Sequence, residues 1–411
     1  MKFYEGQKIP IKSWCNSPED GAIEQAHNLS ALPFMFKQVC LMPDTHQGYG
    51  MPIGGVIATN GVVIPNAVGV DIGCGMCAMR TSLTHISQEQ IKAIFGGSKE
   101  YKGGIRGKVP VGFNHHTKYQ NWELMPECAF VINEAYPNGY MEVPANEIYP
   151  IVNQEFKSAL KQLGTLGGGN HFIEIQRGSD GYIWVMIHSG SRNLGYKVAQ
   201  HYNKLAQELC KKWHSNIPSF KGEDGLAFLP VDTKEGQDYL REMNYCLKFA
   251  YANRRLMLER IKEAFLNVID CEFEPEINIH HNYASIENHF GVNVWVHRKG
   301  AISAKEGELG IISGSQGTAS FIVKGKGNPE SFKSCSHGAG RRMSRKKARE
   351  ELSLEEEQKK LDEQGIIHAI RYQKNLDEAS SAYKDIDVVM EEQKDLVEIV
   401  VKLTPLGVIK G

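Results

Sequence analysis

The sequence predicts a mixed α/β fold (α+β) in one continuous domain over residues 1–411. The first third alternates β-branched runs with glycine and proline, as in GGVIATNGVVIPNAVGVDIGCGMCAMRTS, a pattern typical of strands joined by tight turns. Two later segments, 193–213 and 234–268, carry apolar residues at helical spacing. No internal repeat, low-complexity tract or interdomain linker interrupts the chain, which favours a single domain.

The second predicted helix has an apolar face that should lie in the core. Its residues at helical spacing are Leu240, Met243, Leu247, Tyr251, Leu258 and Ile261. Short apolar runs that end in polar or glycine-rich turns predict further strands, namely YIWVMIHSG before the helices and VNVWVHRKGA, ELGIISGS and ASFIVKG after them. Ligands tend to bind at such strand ends.

A charged stretch from Ser344 to Gln364 mixes both signs at helical spacing and predicts a solvated helix. Its basic start is a second candidate feature, because clustered cations directly after a glycine turn can hold phosphates. The cluster consists of Arg341, Arg342, Arg345, Lys346, Lys347 and Arg349.

Composition indicates a globular protein of the cytoplasm. The chain is 41% hydrophobic and 23% charged, no apolar run approaches a membrane span, and the N-terminus MKFYEGQKIPIKSW lacks the apolar core of a secretory signal. The nine cysteines are scattered, which favours reduced thiols over a disulfide framework. With a net charge of -1, any nucleic-acid contact must come from a local basic patch.

The run GVDIGCGM, residues 69–76, predicts a metal-binding loop. It places the carboxylate of Asp71 near the thiol of Cys74, and this pairing of oxygen with sulfur suits Mn, Fe, Co or Zn better than Mg or Ca. A buried Cys is also compatible with a purely apolar packing role. Cys77 completes a C-x-x-C, which leaves a redox pair or half a zinc site open as further interpretations.

Several histidines lie in glycine-rich or strand-end contexts, among them His171, His188 and His281. Each alone is compatible with a hydrogen-bonded structural role. With Asp71 and Cys74 they would supply five ligands, too many for one tetrahedral site, so two metals are predicted with Cys74 as the shared thiolate. Paired cations about 3.5 to 4 Å apart suit phosphoryl chemistry because they stabilise both the attacking and the leaving oxygen.

His337 lies in SHGAGR, where small residues expose the imidazole and offer backbone N–H groups to an anion. A neutral imidazole can attack phosphorus and form a covalent phosphoramidate, so this residue is a candidate nucleophile. A metal ligand or a proton shuttle is the alternative role.

Nine motifs in this order resemble the RtcB family of GTP-dependent RNA ligases. They run from residue 43 to the C-terminus, so the resemblance spans nearly the whole chain. The motifs are PDTHQGYGMPIGG, GVDIGCGM, GGGNHFIEI, HSGSRNLG, HHNYA, HRKGA, GSQGTASFIVKG, SCSHGAGR and the terminal KG. The resemblance implies a single RtcB-type domain with mixed or antiparallel sheets, flanking helices and a central dinuclear metal cleft.

The resemblance also implies the metal ligands and the reaction. One Mn²⁺ would be held by Asp71, Cys74 and His171, and a second by Cys74, His188 and His281. His337 would attack the α-phosphate of GTP, with Asp44 orienting the ring, and would carry GMP. The guanylate would then activate an RNA 3'-phosphate for attack by a 5'-hydroxyl, and 2',3'-cyclic phosphate ends would first be hydrolysed.

A guanylate pocket follows from the same resemblance, with Glu174 and Lys410 selecting guanine by hydrogen bonds. Arg192 and Arg341 are implied as contacts to RNA or triphosphate oxygens. The pocket residues are Asn170, His171, Phe172, Ile173, Glu174, His281, Asn282, Ser313, Gly314, Ser315, Gln316, Ser320, His337, Gly338, Ala339, Gly340 and Lys410.

The match is uneven in two places. Gln316 stands where family members often have Met, a change that should not affect the chemistry if the backbone does the binding. Residues 96–150, including His115 and His116, carry a weaker signal and receive no role. The physiological RNA, whether tRNA halves, cleaved tRNA or damaged rRNA, is left open, as are an archease-type activating partner and the oligomeric state.

Two other functions fit the residues without the resemblance. A dinuclear metal-dependent phosphoesterase would use the same five ligands to activate water, with His337 as general acid. A metal-stabilised RNA-binding protein without catalysis is the third possibility. Labelling with GTP would separate the ligase from both, because only the ligase forms a GMP adduct.

Overall fold

The computed structural model describes residues 1–97, 103–136, 139–215, 217 and 225–411. The strands are β1 Lys2–Tyr4, β2 Ile11–Ser13, β3 Met35–His46, β4 Ile53–Thr59, β5 Val62–Val63, β6 Gly75–Arg80, β7 Phe130–Tyr136, β8 Gly139–Pro144, β9 Phe172–Gly178, β10 Ile183–Ser189, β11 Leu229–Pro230, β12 Ile277–His280, β13 Asn282–His289, β14 Val292–Lys299, β15 Ala301–Ser303, β16 Leu309–Ile312, β17 Ser320–Gly325, β18 Ser334–Ser336 and β19 Val397–Lys410. The helices are α1 Asp20–Ser30, α2 Pro65–Val68, α3 Gln88–Phe95, α4 Ile105–Lys108, α5 Pro150–Gln162, α6 Arg192–Lys212, α7 Lys234–Leu266, α8 Arg345–Glu351, α9 Leu354–Glu363 and α10 Ile386–Glu392. Short 3₁₀ helices cover Trp122–Leu124, Pro329–Ser331, Gln373–Glu378 and Ser380–Ala382.

Two large sheets form the framework. The six-stranded sheet has the order β1-β2-β3-β4-β14-β13, with β2 and β3 parallel and the other neighbours antiparallel. The seven-stranded sheet has the order β12-β6-β10-β9-β19-β17-β16, and each neighbouring pair is antiparallel. The predicted mixed α/β fold with mixed and antiparallel sheets is therefore confirmed.

The predicted strands and the two long helices are present. YIWVMIHSG contains β10, VNVWVHRKGA contains β14, ELGIISGS contains β16 and ASFIVKG contains β17. Helix α6 covers Arg192–Lys212, and α7 begins after Thr233, whose hydroxyl accepts the N–H of Gly236 at 3.2 Å. This side-chain cap satisfies one of the free N–H groups of the first turn.

Helix α7 connects two hydrophobic cores. Its first half, including Met243, packs with α5 and α6, whereas its second half, including Leu258 and Ile261, packs against the seven-stranded sheet. Leu247 is partly buried, and the prediction that Tyr251 lies in the core is wrong because its side chain is 39% exposed. Buried positions recur at helical spacing along the whole helix, and Tyr251 lies beside this face and not on it. The buried positions include Tyr239, Met243, Cys246, Ala250, Asn253, Met257, Ile261 and Ala264.

The charged stretch 344–364 is helical and mostly exposed, as predicted, but it forms two helices, α8 and α9, and not one. Leu352 adopts an extended conformation with ψ 145° and packs against the cluster around Leu361. Ser353 then starts the second helix by accepting the N–H of Glu356 at 3.4 Å. A partly buried apolar contact next to a serine cap therefore separates the two helices, where the charge pattern alone predicts a single helix.

Two further properties bear on the predictions. All nine cysteines lie among the described residues and are free thiols. Within the described ranges, no helix is both long enough and apolar enough to cross a membrane.

Candidate metal centre and nucleophile

The GVDIGCGM segment turns sharply between α2 and β6. The N–H of Cys74 donates to the carbonyl of Asp71 at 3.1 Å, which closes the turn and aims both side chains the same way. Gly73 has φ +74° and lies so close to α7 that an added Cβ would approach Ala250 Cβ at 3.1 Å and the carbonyl of Cys246 at 3.2 Å. This glycine therefore allows the ligand loop to pack directly on the helix.

The five predicted ligands come together in two overlapping clusters that share Cys74. In the first cluster, Nε2 of His171 lies 3.2 Å from Oδ2 of Asp71 and 3.4 Å from Sγ of Cys74. In the second, Nε2 of His188 lies 3.3 Å from Sγ of Cys74 and 3.4 Å from Nε2 of His281. Ligand atoms within each cluster lie within 4.8 Å of one another.

The donor atoms fit a cation. Nδ1 of His171 donates to the carbonyl of Leu166 at 2.9 Å, so its Nε2 carries the lone pair that faces Cys74 and Asp71. Packing several lone pairs together in a buried space is unfavourable without a positive charge between them. Nitrogen, sulfur and one carboxylate together suit a borderline transition metal.

Burial prepares these groups for metal binding. It lowers the pKa values of His188 and His281, so both imidazoles are neutral and their lone pairs are available. Burial and the neighbouring Asp71 carboxylate raise the pKa of the Cys74 thiol. The metal-free thiol therefore holds its proton at neutral pH, and metal binding should release it.

His337 is oriented by Asp44, at the end of β3. Oδ2 of this fully buried carboxylate lies 2.6 Å from Nδ1 of His337 and also accepts the backbone N–H groups of His337 at 3.1 Å and Gly338 at 3.3 Å. An ionised carboxylate only accepts, so Nδ1 carries the proton and Nε2 the lone pair. Gly340 brings the loop against β3, since an added Cβ would lie 2.2 Å from the carbonyl of Asp44.

The nucleophile candidate is next to the second metal cluster. The ring centroids of His337 and His281 are 4.7 Å apart. Asn282 follows His281 and donates to the carbonyl of Asp71 at 3.0 Å, while its oxygen accepts the N–H of Gly300 at 2.8 Å. One segment thus connects both halves of the site.

Most predicted pocket residues are linked by direct contacts. The N–H of Ser313 donates to the carbonyl of His337 at 3.2 Å, and Ala339 donates back to Ser313 at 2.9 Å. Farther along, Gly314 donates to Ser320 at 3.1 Å, and Gln176 donates to both Ser320 at 3.4 Å and the buried Glu174 at 2.7 Å. The N–H of Ser315 donates to the hydroxyl of Thr318 in the same loop. Asn170 lies just before β9, and Ile173 lies at the beginning of that strand.

Lys410 lies on β19 opposite Phe172, with its ammonium 5.6 Å from the centroid of that ring. It also lies 3.8 Å from Glu378 and borders a hollow of about 320 Å³. The hollow is lined by Gly169, Gln316, Ala369, Ile370, Lys374, Asn375, Asp377, Glu378, Lys410 and Gly411. Asp377 and Glu378 were missed from sequence because NLDEASSAY contains no motif signal.

The two predicted phosphate-binding arginines occupy different settings. Arg192 has φ +59°, donates to Thr165 at 3.0 Å and to the carbonyl of Gly112 at 2.9 Å, and lies near enough to Asp71 for their charges to interact. Arg341 donates to the carbonyl of Asp377 at 2.6 Å and pairs with Glu378 at 3.3 Å. Arg341 is therefore already occupied by protein groups.

The remaining residues lie away from the clusters. Cys77 is buried among apolar residues of β9, β10 and α7. His115 is exposed and His116 contacts Arg260 at 2.7 Å. Within the weakly matched stretch 96–150, residues 98–102 and 137–138 lie outside the described part of the chain.

Comparison with known proteins decides the family. The family model described as tRNA-splicing ligase RtcB matches residues 25–411. The chain belongs to the RtcB family. An RNA-splicing ligase RtcB of Escherichia coli K12 is 38% identical, with 98% of each chain covered, and another E. coli protein named RNA-splicing ligase RtcB1 is 39% identical with the same coverage. A tRNA-splicing ligase RtcB of Thermococcus kodakarensis is 32% identical, covering 100% of this chain and 96% of its own.

RtcB family membership and the two ligand clusters together bear on metal binding by this protein. The family resemblance predicted from sequence is confirmed. Two overlapping sets of buried His, Cys and Asp side chains, in a chain of this family, indicate dependence on a metal.

Proposed function

We propose that this RtcB family member is a GTP- and Mn²⁺-dependent RNA ligase, acting as one catalytic domain over residues 1–411. It would join an RNA 3'-phosphate or 2',3'-cyclic phosphate end to a 5'-hydroxyl end, in tRNA splicing or RNA repair in the cytoplasm. The names of its relatives, RNA-splicing and tRNA-splicing ligases, support this activity. GTP and an archease-type activator are the proposed partners besides RNA.

One observation carries the proposal, namely the position of the His337 ring. Its Nδ1 is bound by Asp44, and the ring lies beside His281, a member of the ligand cluster. This leaves the Nε2 lone pair as the nucleophile. In the proposed first step, that lone pair forms a bond to the α-phosphorus of GTP, the bond to the bridging oxygen of the β-phosphate breaks, and pyrophosphate leaves.

Transfer to RNA follows from the same geometry. An oxygen of the RNA 3'-phosphate attacks the phosphorus held on His337, the N–P bond breaks, and an RNA-3'-pp-G end forms. The 5'-hydroxyl then attacks the RNA phosphorus, loses its proton, and GMP leaves. Asp44 keeps the leaving imidazole in the same tautomer in both directions by accepting from Nδ1.

The metals would be held by the two clusters already described, Asp71–Cys74–His171 and Cys74–His188–His281. When bound, paired cations neutralise charge on phosphate oxygens that approach one another. Mn²⁺ is the proposed identity on family grounds.

We propose that guanine is selected at the hollow beside Lys410. The ammonium would donate to O6, and Glu174 would accept from N1 and N2. Gln316 and Glu378 border the same hollow, and Glu378 compensates the charge of Lys410 at 3.8 Å. Arg192, close to Asp71, and Arg341 are the proposed contacts to RNA or triphosphate oxygens, and Arg341 would have to release one of its present partners, Asp377 or Glu378, to make such a contact.

The test is incubation with GTP labelled at the α-phosphate in the presence of Mn²⁺. The wild-type protein should form an acid-labile labelled adduct that His337→Ala abolishes and His115→Ala, at an exposed histidine, retains. Absence of an adduct in the wild type, combined with release of phosphate from RNA ends, would instead identify a dinuclear phosphoesterase. Absence of both would leave a metal-stabilised RNA-binding protein.

A further inference from the structure

Arg254 of α7 is a fully buried arginine beneath the metal-binding loops. Its Nη1 donates to the carbonyls of Gly73 at 3.0 Å and Ser189 at 2.9 Å. Its Nε donates to Oδ1 of Asn278 at 2.7 Å, and its Nη2 lies 3.2 Å from Nδ1 of His280. One guanidinium therefore reaches four separate groups.

Three of these four contacts are to residues directly next to a member of the second cluster in the chain. Gly73 immediately precedes Cys74, Ser189 immediately follows His188, and His280 immediately precedes His281. The guanidinium thus touches a chain neighbour of every member of the Cys74–His188–His281 cluster. In the other cluster, the ring of His171 is oriented by the carbonyl of Leu166, and only the shared Cys74 is next to an Arg254 contact.

Charge adds a second observation. Among the described residues, no carboxylate lies within ion-pair distance of Arg254, and the charge of Asp71 acts on it only from farther away. A buried charge without a close counter-charge is costly. Burial lowers the pKa of Arg254 to about 10, so the side chain remains a cation at neutral pH. A thiolate bound to metal at Cys74 would supply negative charge nearby.

We infer that Arg254 is a positioning residue for one metal of the proposed dinuclear centre, holding the three ligand-bearing segments of the Cys74–His188–His281 cluster in register. This inference rests on the proposed two-metal function. Partners behind the ligands typically change metal affinity about 10- to 100-fold when removed. Arg254 differs from a general core residue because its contacts select one cluster over the other.

The experiment is a Co²⁺ titration of the metal-free full chain, followed by cobalt–thiolate absorption and calorimetry, with the melting temperature of the metal-free protein measured in parallel. Wild type should bind two Co²⁺ per chain. Arg254→Met should weaken one of the two sites about 10- to 100-fold and leave the other near its wild-type affinity. Arg254→Lys should recover part of the loss, because an ammonium keeps the charge and can donate to two carbonyls.

Arg260, farther along α7, supplies the matched control. It donates to the carbonyls of Gly164 at 2.8 Å and Lys108 at 3.4 Å, and none of its contacts with the described residues is to a chain neighbour of the Cys74–His188–His281 cluster. Arg260→Met should lower the melting temperature while both Co²⁺ sites stay intact. If Arg254→Met does not fold, Asn278→Ala should weaken the same site by a smaller factor, because it removes the acceptor of Nε and, besides that, only a long hydrogen bond to the carbonyl of Tyr251 at 3.4 Å.

The outcomes separate the inference from the proposed function. Wild-type protein that binds fewer than two Co²⁺ would refute the two-metal centre itself. Two normal sites in folded Arg254→Met, or in Asn278→Ala if that is the variant that folds, would overturn the role of Arg254 alone. Equal weakening of both sites by Arg254→Met and Arg260→Met would also overturn it, because the effect would then be general destabilisation.

Discussion

Nδ1 of His337 lies 2.6 Å from Oδ2 of Asp44, and the same oxygen accepts the backbone N–H of His337 at 3.1 Å. Side chain and backbone of one residue are thus bound to a single buried carboxylate oxygen. The imidazole cannot rotate without losing its proton acceptor. In the proposed reaction, this would fix Nε2 as the ring nitrogen that attacks phosphorus.

Replacement of this carboxylate should therefore slow the first chemical step. In Asp44→Asn the amide lacks the negative charge and offers N–H donors to groups that already donate. We expect formation of the GMP adduct to fall on the order of 10²- to 10⁴-fold, the range for loss of an oriented acid–base group. Quenched-flow labelling with GTP measures this rate, and an adduct formed at the wild-type rate would contradict the assigned tautomer.

Lys384 should matter because it fixes the backbone around Asp44. Its ammonium donates to the carbonyl of Pro43 at 3.2 Å and to that of Thr45 at 2.5 Å, one on each side of the aspartate. In Lys384→Met, kcat for adduct formation should fall about 10- to 100-fold, as expected when a reacting group is displaced by a fraction of an ångström to 1 Å. KM for GTP should change little, and Lys384→Arg should recover part of the rate. A change confined to KM would show that Lys384 acts on GTP binding instead.

Cys74 should be required for both metals because the two clusters share its sulfur. Cys74→Ser replaces a thiolate that can bridge two cations with a hydroxyl that stays protonated at neutral pH. Equilibrium dialysis with Mn²⁺ should show loss of both ions. Cys77→Ser is the matched control, since Cys77 is equally buried but lies in the apolar core. Retention of two ions by folded Cys74→Ser would refute the bridge.

Glu174 should give GTP binding a characteristic pH dependence. Burial raises its pKa to about 8, so the carboxyl is largely neutral in the empty pocket at neutral pH. The ionised form needed to accept from guanine N1 and N2 becomes populated as pH rises. KM for GTP should therefore fall between about pH 6 and 8 in the wild type, and this trend should be lost in Glu174→Gln. An unchanged pH profile in the variant would remove Glu174 from guanine recognition.

The same shift predicts a stability change with the following sign. The folded-state pKa lies above the usual value of 4.5, so the folded protein binds the proton more tightly than the unfolded chain. The contribution of Glu174 is fully present below pH 4.5 and is lost as pH rises to about 8. Glu174→Gln should consequently melt at a higher temperature than wild type above pH 8 and converge with it in acid.

Sequence reasoning identified the candidate ligands, which the structure brings together, because their chemistry is local. Asp71 and Cys74 are three residues apart, and each histidine ends a strand or a glycine turn. Arg254 gave no comparable signal, because a basic residue in a long helix usually faces solvent. Its burial depends on loops brought to the helix from distant parts of the chain.

Strand pairing was also inaccessible from sequence pattern. The β4–β14 pair and the β9–β19 pair join segments separated by more than half of the chain, and alternation identifies a buried face without identifying the partner. The same reason explains Glu378, which becomes part of the hollow only when β19 brings Lys410 beside it.

The position of β19 has a consequence for biosynthesis. It lies between β9 and β17, yet it follows every other strand of the seven-stranded sheet in the chain. As the ribosome delivers the protein, β9 and β17 must present open edges until residues 397–410 emerge, and open edges invite pairing with other chains. Newly made molecules should therefore depend on chaperone protection late in synthesis, and the lysine proposed to recognise guanine arrives with the segment that ends this exposure.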